Sequence, residues 1–218
     1  MGDPIAATAL RDLPPLKGVL FDYGGVLAEE GFREGLYAIA RKNGLDPEWL
    51  FLRASGAIYE TGYITGRATE ADYWETMRRE TGICGTDEEL TGEILPRFIL
   101  RPVMIDAVRQ LRRKRYIVAI ASDQVDWLER LDERDHFYGE FDRVFNSYRL
   151  GKGKRDATFF DDVADALMLA PGELLFLDDN AEHVERAASK GLHAMVVRKA
   201  GDATEELMNL PERPGISL

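Results

Sequence analysis

Four short stretches of the chain carry residue types able to do chemistry together. The first is Gly18-Val19-Leu20-Phe21-Asp22-Tyr23-Gly24-Gly25-Val26-Leu27, an apolar run that ends in a carboxylate and two glycines. It reads as a buried strand delivering Asp22 to a flexible turn. A carboxylate in that place is a candidate nucleophile or metal ligand. The plainer alternative is a turn aspartate satisfied by its own backbone. The second stretch, Ile117-Val118-Ala119-Ile120-Ala121, ends at Ser122, whose hydroxyl can donate to an anionic oxygen. Asp123 follows and could cap a helix read at Gln124 to Arg130. The third is Lys152-Gly153-Lys154, where a lysine could neutralise an anion or simply be solvated. The fourth, Leu174-Leu175-Phe176-Leu177-Asp178-Asp179-Asn180, ends in adjacent carboxylates. Charges this close repel, so both ionise only beside a cation or a hydrogen-bond network. Oxygen ligands of this kind suit Mg²⁺, although an ordinary helix N-cap would use the same residues.

The elements that must position these groups follow from periodicity. Strands are expected at Tyr116 to Ala121, Arg143 to Phe145, Leu174 to Leu177 and Ala194 to Val197, each after a helical pattern. Helices are expected at Val103 to Lys114, at Asp156 to Leu169 behind an Asp cap, and at Asn180 to Lys190 before Gly191. Alternating strands and helices predict an α/β fold with a parallel sheet covered on both faces. Between Leu27 and about Leu100 no strand is expected. Helical segments near Phe32 to Lys42, Thr69 to Glu80 and Thr86 to Leu100 occupy that interval, with Pro96 breaking the last. The predicted organisation is a tail over residues 1–15, an α/β core over 16–27 and 101–218, and a helical insertion over 28–100. An insertion after the Asp22 turn would hang over the carboxyl edge of the sheet, where a lid belongs. Its aromatics Tyr37, Trp49, Tyr59, Tyr63 and Trp74 read as core rather than substrate contacts.

Bulk properties narrow the function. With 45% hydrophobic and 31% charged residues, the 218-residue chain has the composition of a soluble globular protein. A net charge of −11 argues against nucleic acid as a partner. No apolar run is long enough for a membrane span. Cys84 is the only cysteine, so no internal disulfide forms. Met1-Gly2 lacks the Ser or Thr at position 6 that myristoylation favours, and no secretory pattern opens the chain. A cytoplasmic location is the expectation. The oligomeric state is not legible in the sequence.

Taken in order, Asp22, Ser122, the lysine loop and Asp178-Asp179 resemble the haloacid dehalogenase (HAD) superfamily, in the subgroup with a helical cap inserted after the first motif. The resemblance covers nearly all of residues 16–200. It implies a Rossmann-like core and a Mg²⁺-dependent hydrolase, with a small phosphorylated metabolite as substrate and an aspartyl-phosphate formed on Asp22. Ser122 would bind the phosphoryl group. Lys154, three residues after Gly151, would steady nucleophile and phosphate, with Lys152 the fallback. Asp22, the Gly24 carbonyl, Asp179 and, as its supporting neighbour, Asp178 would form the metal site. Turn amides near Gly24 and Gly25, with Asp123 beside them, would lie against the substrate.

Three positions depart from the family pattern. Most phosphatases of this type carry an acid two residues after the nucleophile, and here that residue is Gly24. General acid–base help is worth roughly 10²–10⁴ in rate, about 3–5 kcal/mol of barrier. A site without it would be slow, or would be a non-catalytic phosphoryl-binding scaffold. Asp123 stands where the family often has Asn, and an anion near phosphate must be protonated or paired. Asp123 is therefore a candidate for the missing acid. His183 replaces an Asn or Asp of motif four and reads as a surface histidine or as a hydrogen-bond partner of the site. The metal-free 2-haloacid dehalogenase branch lacks the acidic pair, so Asp178-Asp179 favours phosphoryl chemistry.

Overall fold

The computed structural model describes residues 16–213. Five parallel strands form one sheet: β1 (Gly18–Phe21), β2 (Ile117–Ser122), β3 (Arg143–Asn146), β4 (Leu174–Asp178) and β5 (His193–Val196), in the spatial order β3-β2-β1-β4-β5. β1 lies in the middle and all four of its residues are buried. That burial on both faces explains its unbroken apolar run. The chain builds outward from β1 through β2 to β3, then returns to lay β4 against the other side of β1. The carboxyl ends of β1 and β4 therefore flank the point where the winding reverses, the usual place for a ligand in an open parallel sheet.

Side chains alternate along the strands and separate two apolar layers. Leu20, Ala119, Phe176 and Leu174 pack with Phe159, Phe160 and Val163 of a helix at Thr158–Leu167 and with Val184 and Ala187 of another at Ala181–Ser189. Val19, Phe21, Val118 and Leu175 face the opposite layer, which includes Met104, Val108 and Leu111 of the helix Pro102–Arg113 and Trp127, Leu128 and Leu131 of the helix Trp127–Asp135.

Four helices separate β1 from the rest of the core: α1 (Gly31–Lys42), α2 (Pro47–Glu60), α3 (Glu70–Thr81) and α4 (Asp87–Ile94). The chain enters and leaves this insertion through two adjacent antiparallel segments. Glu29 N donates to Ile99 O (2.9 Å) and Arg101 N donates to Leu27 O (2.8 Å). The Arg101 guanidinium clamps the junction, bonding both Glu29 carboxylate oxygens (3.0 and 2.8 Å) and the carbonyl of Gly25.

The predicted strands match the observed ones to within a residue or so. The helices correct several expectations. The helix after Ser122 begins at Trp127, not Gln124, because residues 123–126 form a loop at the sheet edge. α4 stops at Ile94, with Pro96 held in a short 3₁₀ turn. The predicted Asp156 cap does act locally, accepting from the amide (2.9 Å) and hydroxyl (2.7 Å) of Thr158, but one residue ahead of the helix's own cap position. α2 has no counterpart in the sequence reading. Its signals are Asp46, whose carboxylate accepts from Trp49 N (2.7 Å), and Pro47 at the first helical position. A C-terminal helix at Ala200–Met208 was likewise not read from the sequence; it packs on Pro102–Arg113. Tyr63 and Trp74 are core as expected, whereas Trp49 is 46% exposed and Tyr59 lines a cavity. The expected tail at 1–15 lies outside the described residues.

Candidate active site

Asp22 leaves β1 at its carboxyl end, and one of its oxygens collects three donors. Oδ1 accepts from the Tyr23 amide (2.8 Å) and from the Ser122 hydroxyl at the end of β2 (2.6 Å), and Lys154 Nζ lies 3.0 Å away. Oδ2 carries none of these bonds. The register of β1 on β2 brings Asp22 and Ser122 together, although a hundred residues separate them. Lys154 is fully buried and also donates to Asp178 Oδ2 (2.5 Å). Of the two lysines in the loop, Lys154 lies with Asp22 and Asp178, and Lys152 forms a surface pair with Asp162 (2.5 Å).

Asp178, at the end of β4, is wholly buried and fully bonded. Its Oδ1 accepts from Asn180 N (2.8 Å), and His183 Nδ1 lies 3.2 Å from Oδ2. His183 is thus a partner of the site rather than a bystander on the surface. Burial pushes the Asp178 carboxyl up, but Lys154 and His183 outweigh it and hold the group well below the usual carboxylate range. For Lys154, burial alone would favour the neutral amine; Asp178 and Asp22 reverse this and lock it protonated.

Asp179 sits across from the Gly25 turn. Gly25 has φ +76°, and a Cβ there would fall 2.2 Å from Asp179 Oδ2. Glycine is thus required twice, for its backbone conformation and for the approach of the carboxylate. Asp22, Asp178 and Asp179 each place a carboxylate oxygen within 4.8 Å of the others. Such crowding exceeds what the single Lys154 ammonium offsets. Burial raises Asp22 to about 6 despite Lys154, and burial with the neighbouring charges of Asp22, Glu30 and Asp178 raises Asp179 to about 7. A divalent hard cation relieves this excess, and the all-oxygen donor set fits Mg²⁺. Residues Asp22 and Asp179, with the Gly24 carbonyl, would hold it.

Asp123 lines the site, and its carboxylate is paired. Its Oδ1 accepts from Lys154 N (2.7 Å), and its Oδ2 accepts from the Tyr59 hydroxyl of α2. Gly153 permits this, since a Cβ there would meet Asp123 Oδ1 at 2.9 Å. Two donors thus pair its side chain, which ties the lysine loop to the insertion.

These groups open into a cavity of about 590 Å³ between the sheet edge and the insertion. Phe32, Arg33, Phe51, Ser55, Ile58 and Tyr59 line its insertion side, and Arg155 lies flat on the Tyr59 ring, 3.4 Å from its centroid. Glu30, Tyr59 and Arg155 were not singled out as site residues in the sequence. Each is an ordinary surface-type residue whose role depends on where the insertion lies. Other insertion–core contacts include Tyr63 to Asp126, Arg130 to Glu70 (2.9 Å), Ser147 Oγ donating to Ile64 O (2.8 Å), and Arg134 donating to Leu95 O (2.9 Å).

The fold and this set of strand-end groups define a hydrolase class. Residues 16–191 match the haloacid dehalogenase-like hydrolase family, and the chain belongs to that family. Among solved structures, it resembles a HAD family enzyme from Bacteroides thetaiotaomicron at 21% identity and a TM-score of 0.73, covering 90% of this chain and all of that one. The same enzyme solved with magnesium and inorganic phosphate aligns with a TM-score of 0.66 at 21% identity, over 85% of this chain and 96% of that chain. Among curated proteins, it is 27% identical to bifunctional epoxide hydrolase 2 of Rattus norvegicus over 160 residues, 64% of this chain. That match spans only 28% of the relative's length.

Proposed function

We propose that this hydrolase is a Mg²⁺-dependent phosphatase of a small phosphorylated metabolite, acting through an aspartyl-phosphate at Asp22. The observation that carries the reading is the convergence on Asp22 of Ser122 and the Asp178-Asp179 pair, at the ends of strands flanking β1, and of Lys154 from the loop beyond β3. The three donors on Asp22 Oδ1 orient the carboxylate and leave Oδ2 to attack phosphorus. Ser122 and Lys154 also lie where they can share the charge of the phosphoryl oxygens as the ester bond breaks. Bound Mg²⁺ would neutralise phosphate and nucleophile charge together. The adjacent acidic pair, Asp178 buried and Asp179 facing the cavity, supports phosphoryl transfer over halide displacement. The magnesium and phosphate complex of the Bacteroides enzyme supports the same ligand chemistry.

In this reading residues 28–100 are a helical cap over a core formed by 16–27 and 101–218, and the cavity between them selects the substrate. The exposed free thiol of Cys84 suits a reducing, cytoplasmic setting. The test is release of phosphate from a panel of small phosphate esters with Mg²⁺, beside Asp22→Asn. Wild-type turnover that vanishes in the variant supports the reading. Equal activity in the two proteins, or none from wild type on any ester, overturns it.

A further inference from the structure

Gly24 occupies the position from which a second carboxylate would serve the leaving group, and it carries no side chain. The space beside it is not empty. A Cβ built on Gly24 would lie 3.5 Å from Glu30 Oε2 and 4.0 Å from the Glu30 carboxyl carbon, with Phe98 Cε1 at 3.3 Å on the other side. Glu30 is the residue immediately before α1, next to the paired entry and exit segments and the Arg101 clamp. Its place is therefore set by the junction with the core rather than by the far end of the insertion. It lines the same cavity as Asp22, Ser122 and Lys154.

The other acids of that cavity are committed elsewhere. Asp22 and Asp178 share Lys154, and Asp179 approaches the Gly25 turn in the cation site. Asp123 accepts from Lys154 N and Tyr59. Glu182 pairs with Arg186 at 2.8 Å. The Glu30 carboxyl accepts one hydrogen bond among the described residues, from Arg33 N at 3.5 Å, the longest of the set. We propose that Glu30 is the catalytic acid–base of this site, supplied from the start of the insertion in place of a side chain at position 24. The assignment rests on the phosphatase reading above.

The chemistry balances without a further reactant. Asp22 Oδ2 bonds to phosphorus as the phosphorus–oxygen bond to the leaving group breaks, and the Glu30 proton passes to that oxygen to release an alcohol. Glu30, now a carboxylate, takes a proton from the water that attacks the aspartyl-phosphate. Phosphate leaves, Asp22 is restored, and Glu30 is again protonated.

The experiment compares Glu30→Gln with wild type on an alkyl phosphate, whose alkoxide leaves poorly, and on p-nitrophenyl phosphate, whose phenolate needs little protonation. The expected result is a loss of about 10²–10⁴ on the alkyl ester and of less than about tenfold in phosphorylation of Asp22 by the nitrophenyl ester. The phosphorylated protein should then accumulate in Glu30→Gln, visible by intact mass, because attack by water has lost its base. Equal losses on the two esters, or full alkyl turnover, overturn the assignment. If Glu30→Gln does not fold, Gly24→Asp in the wild-type background carries the test. An acid added beside a working one should gain less than about threefold, whereas a gain of about a hundredfold would show that none was acting and overturn the proposal. Wild-type turnover that is lost in Asp22→Asn but insensitive to the leaving group in Glu30→Gln overturns the Glu30 role and leaves the phosphatase reading standing. No wild-type turnover on either ester overturns both.

Discussion

The sheet edge and the helical insertion face the same cavity but are held in different ways. At the sheet edge, each chemical group follows directly from a buried parallel strand or the loop behind it, and the groups bond one another: Ser122 and Lys154 to Asp22, and Lys154 and His183 to Asp178. Lys154 and Asp178 are completely removed from solvent. On the insertion side the links to the core are separate polar contacts, among them Tyr59 to Asp123 and Arg130 to Glu70, beside the packing of Trp127 against Phe32, Tyr63 and Trp74. A bonded network of buried charges fails when one member is removed, because the partners are stranded. Separate rim contacts fail singly and cheaply. Reaction chemistry belongs on the first kind of scaffold, and opening to admit substrate belongs on the second.

The comparison can be broken first at Asp22. Asp22→Asn should lower phosphate-ester turnover by about 10³-fold or more, read as initial rates of phosphate release, since the attacking carboxylate is gone. Lys154→Met should come next and should act on stability as well as rate. It strands two buried carboxylates and should cost about 3–5 kcal/mol in denaturant melts, against less than about 0.5 kcal/mol for the surface variant Lys152→Met. Equal effects of the two substitutions would dissolve the distinction between network and rim.

Asp179→Asn should move stability the other way. Asp22 at about 6 and Asp179 at about 7 stand above the ordinary value of 3.8, so the metal-free folded state holds protons more tightly than the unfolded chain. Stability from these groups is therefore greatest at low pH and is lost as pH rises from about 4 through 7. Removing the Asp179 charge should raise the melting temperature of metal-free protein near pH 7.5 while abolishing the increase that Mg²⁺ gives wild type. For wild type itself, Mg²⁺ titrations should show affinity tightening from pH 5.5 to 7.5 as protons stop competing for Asp22 and Asp179. The smallest effect is expected at the rim. Tyr59→Phe removes one hydrogen bond to Asp123 and should change turnover or KM by less than about tenfold, with stability lowered by about 1 kcal/mol.

Much of the sheet edge was legible beforehand. Asp22, Ser122 and Asp178-Asp179 announce themselves because a parallel strand buried on both faces is a run of apolar residues, so the first polar residue after it marks the strand's end. The lysine loop was legible only as a pair, since a lysine that is solvated and one that is fully buried look alike in sequence. Packing against Asp178 made the choice for Lys154. The insertion was legible as helical but not in its contents. α2 escaped notice because Asp46 and Pro47 are equally good turn residues, and Trp49, expected inside, is exposed.

What the sequence determined by itself was local: where strands end, which side chains stand there, and that a stretch with three helical segments intervenes before the core resumes. Those properties depend on spacing along the chain, which sequence records directly. What only the tertiary structure decided was which distant groups meet. It paired Asp123, one candidate for the substitute acid, with two donors, and it brought Glu30 beside the side-chain space that Gly24 leaves open. The physical reason is that an acid's role is set by the donors, charges and burial around it, and those come from elements far apart in the chain.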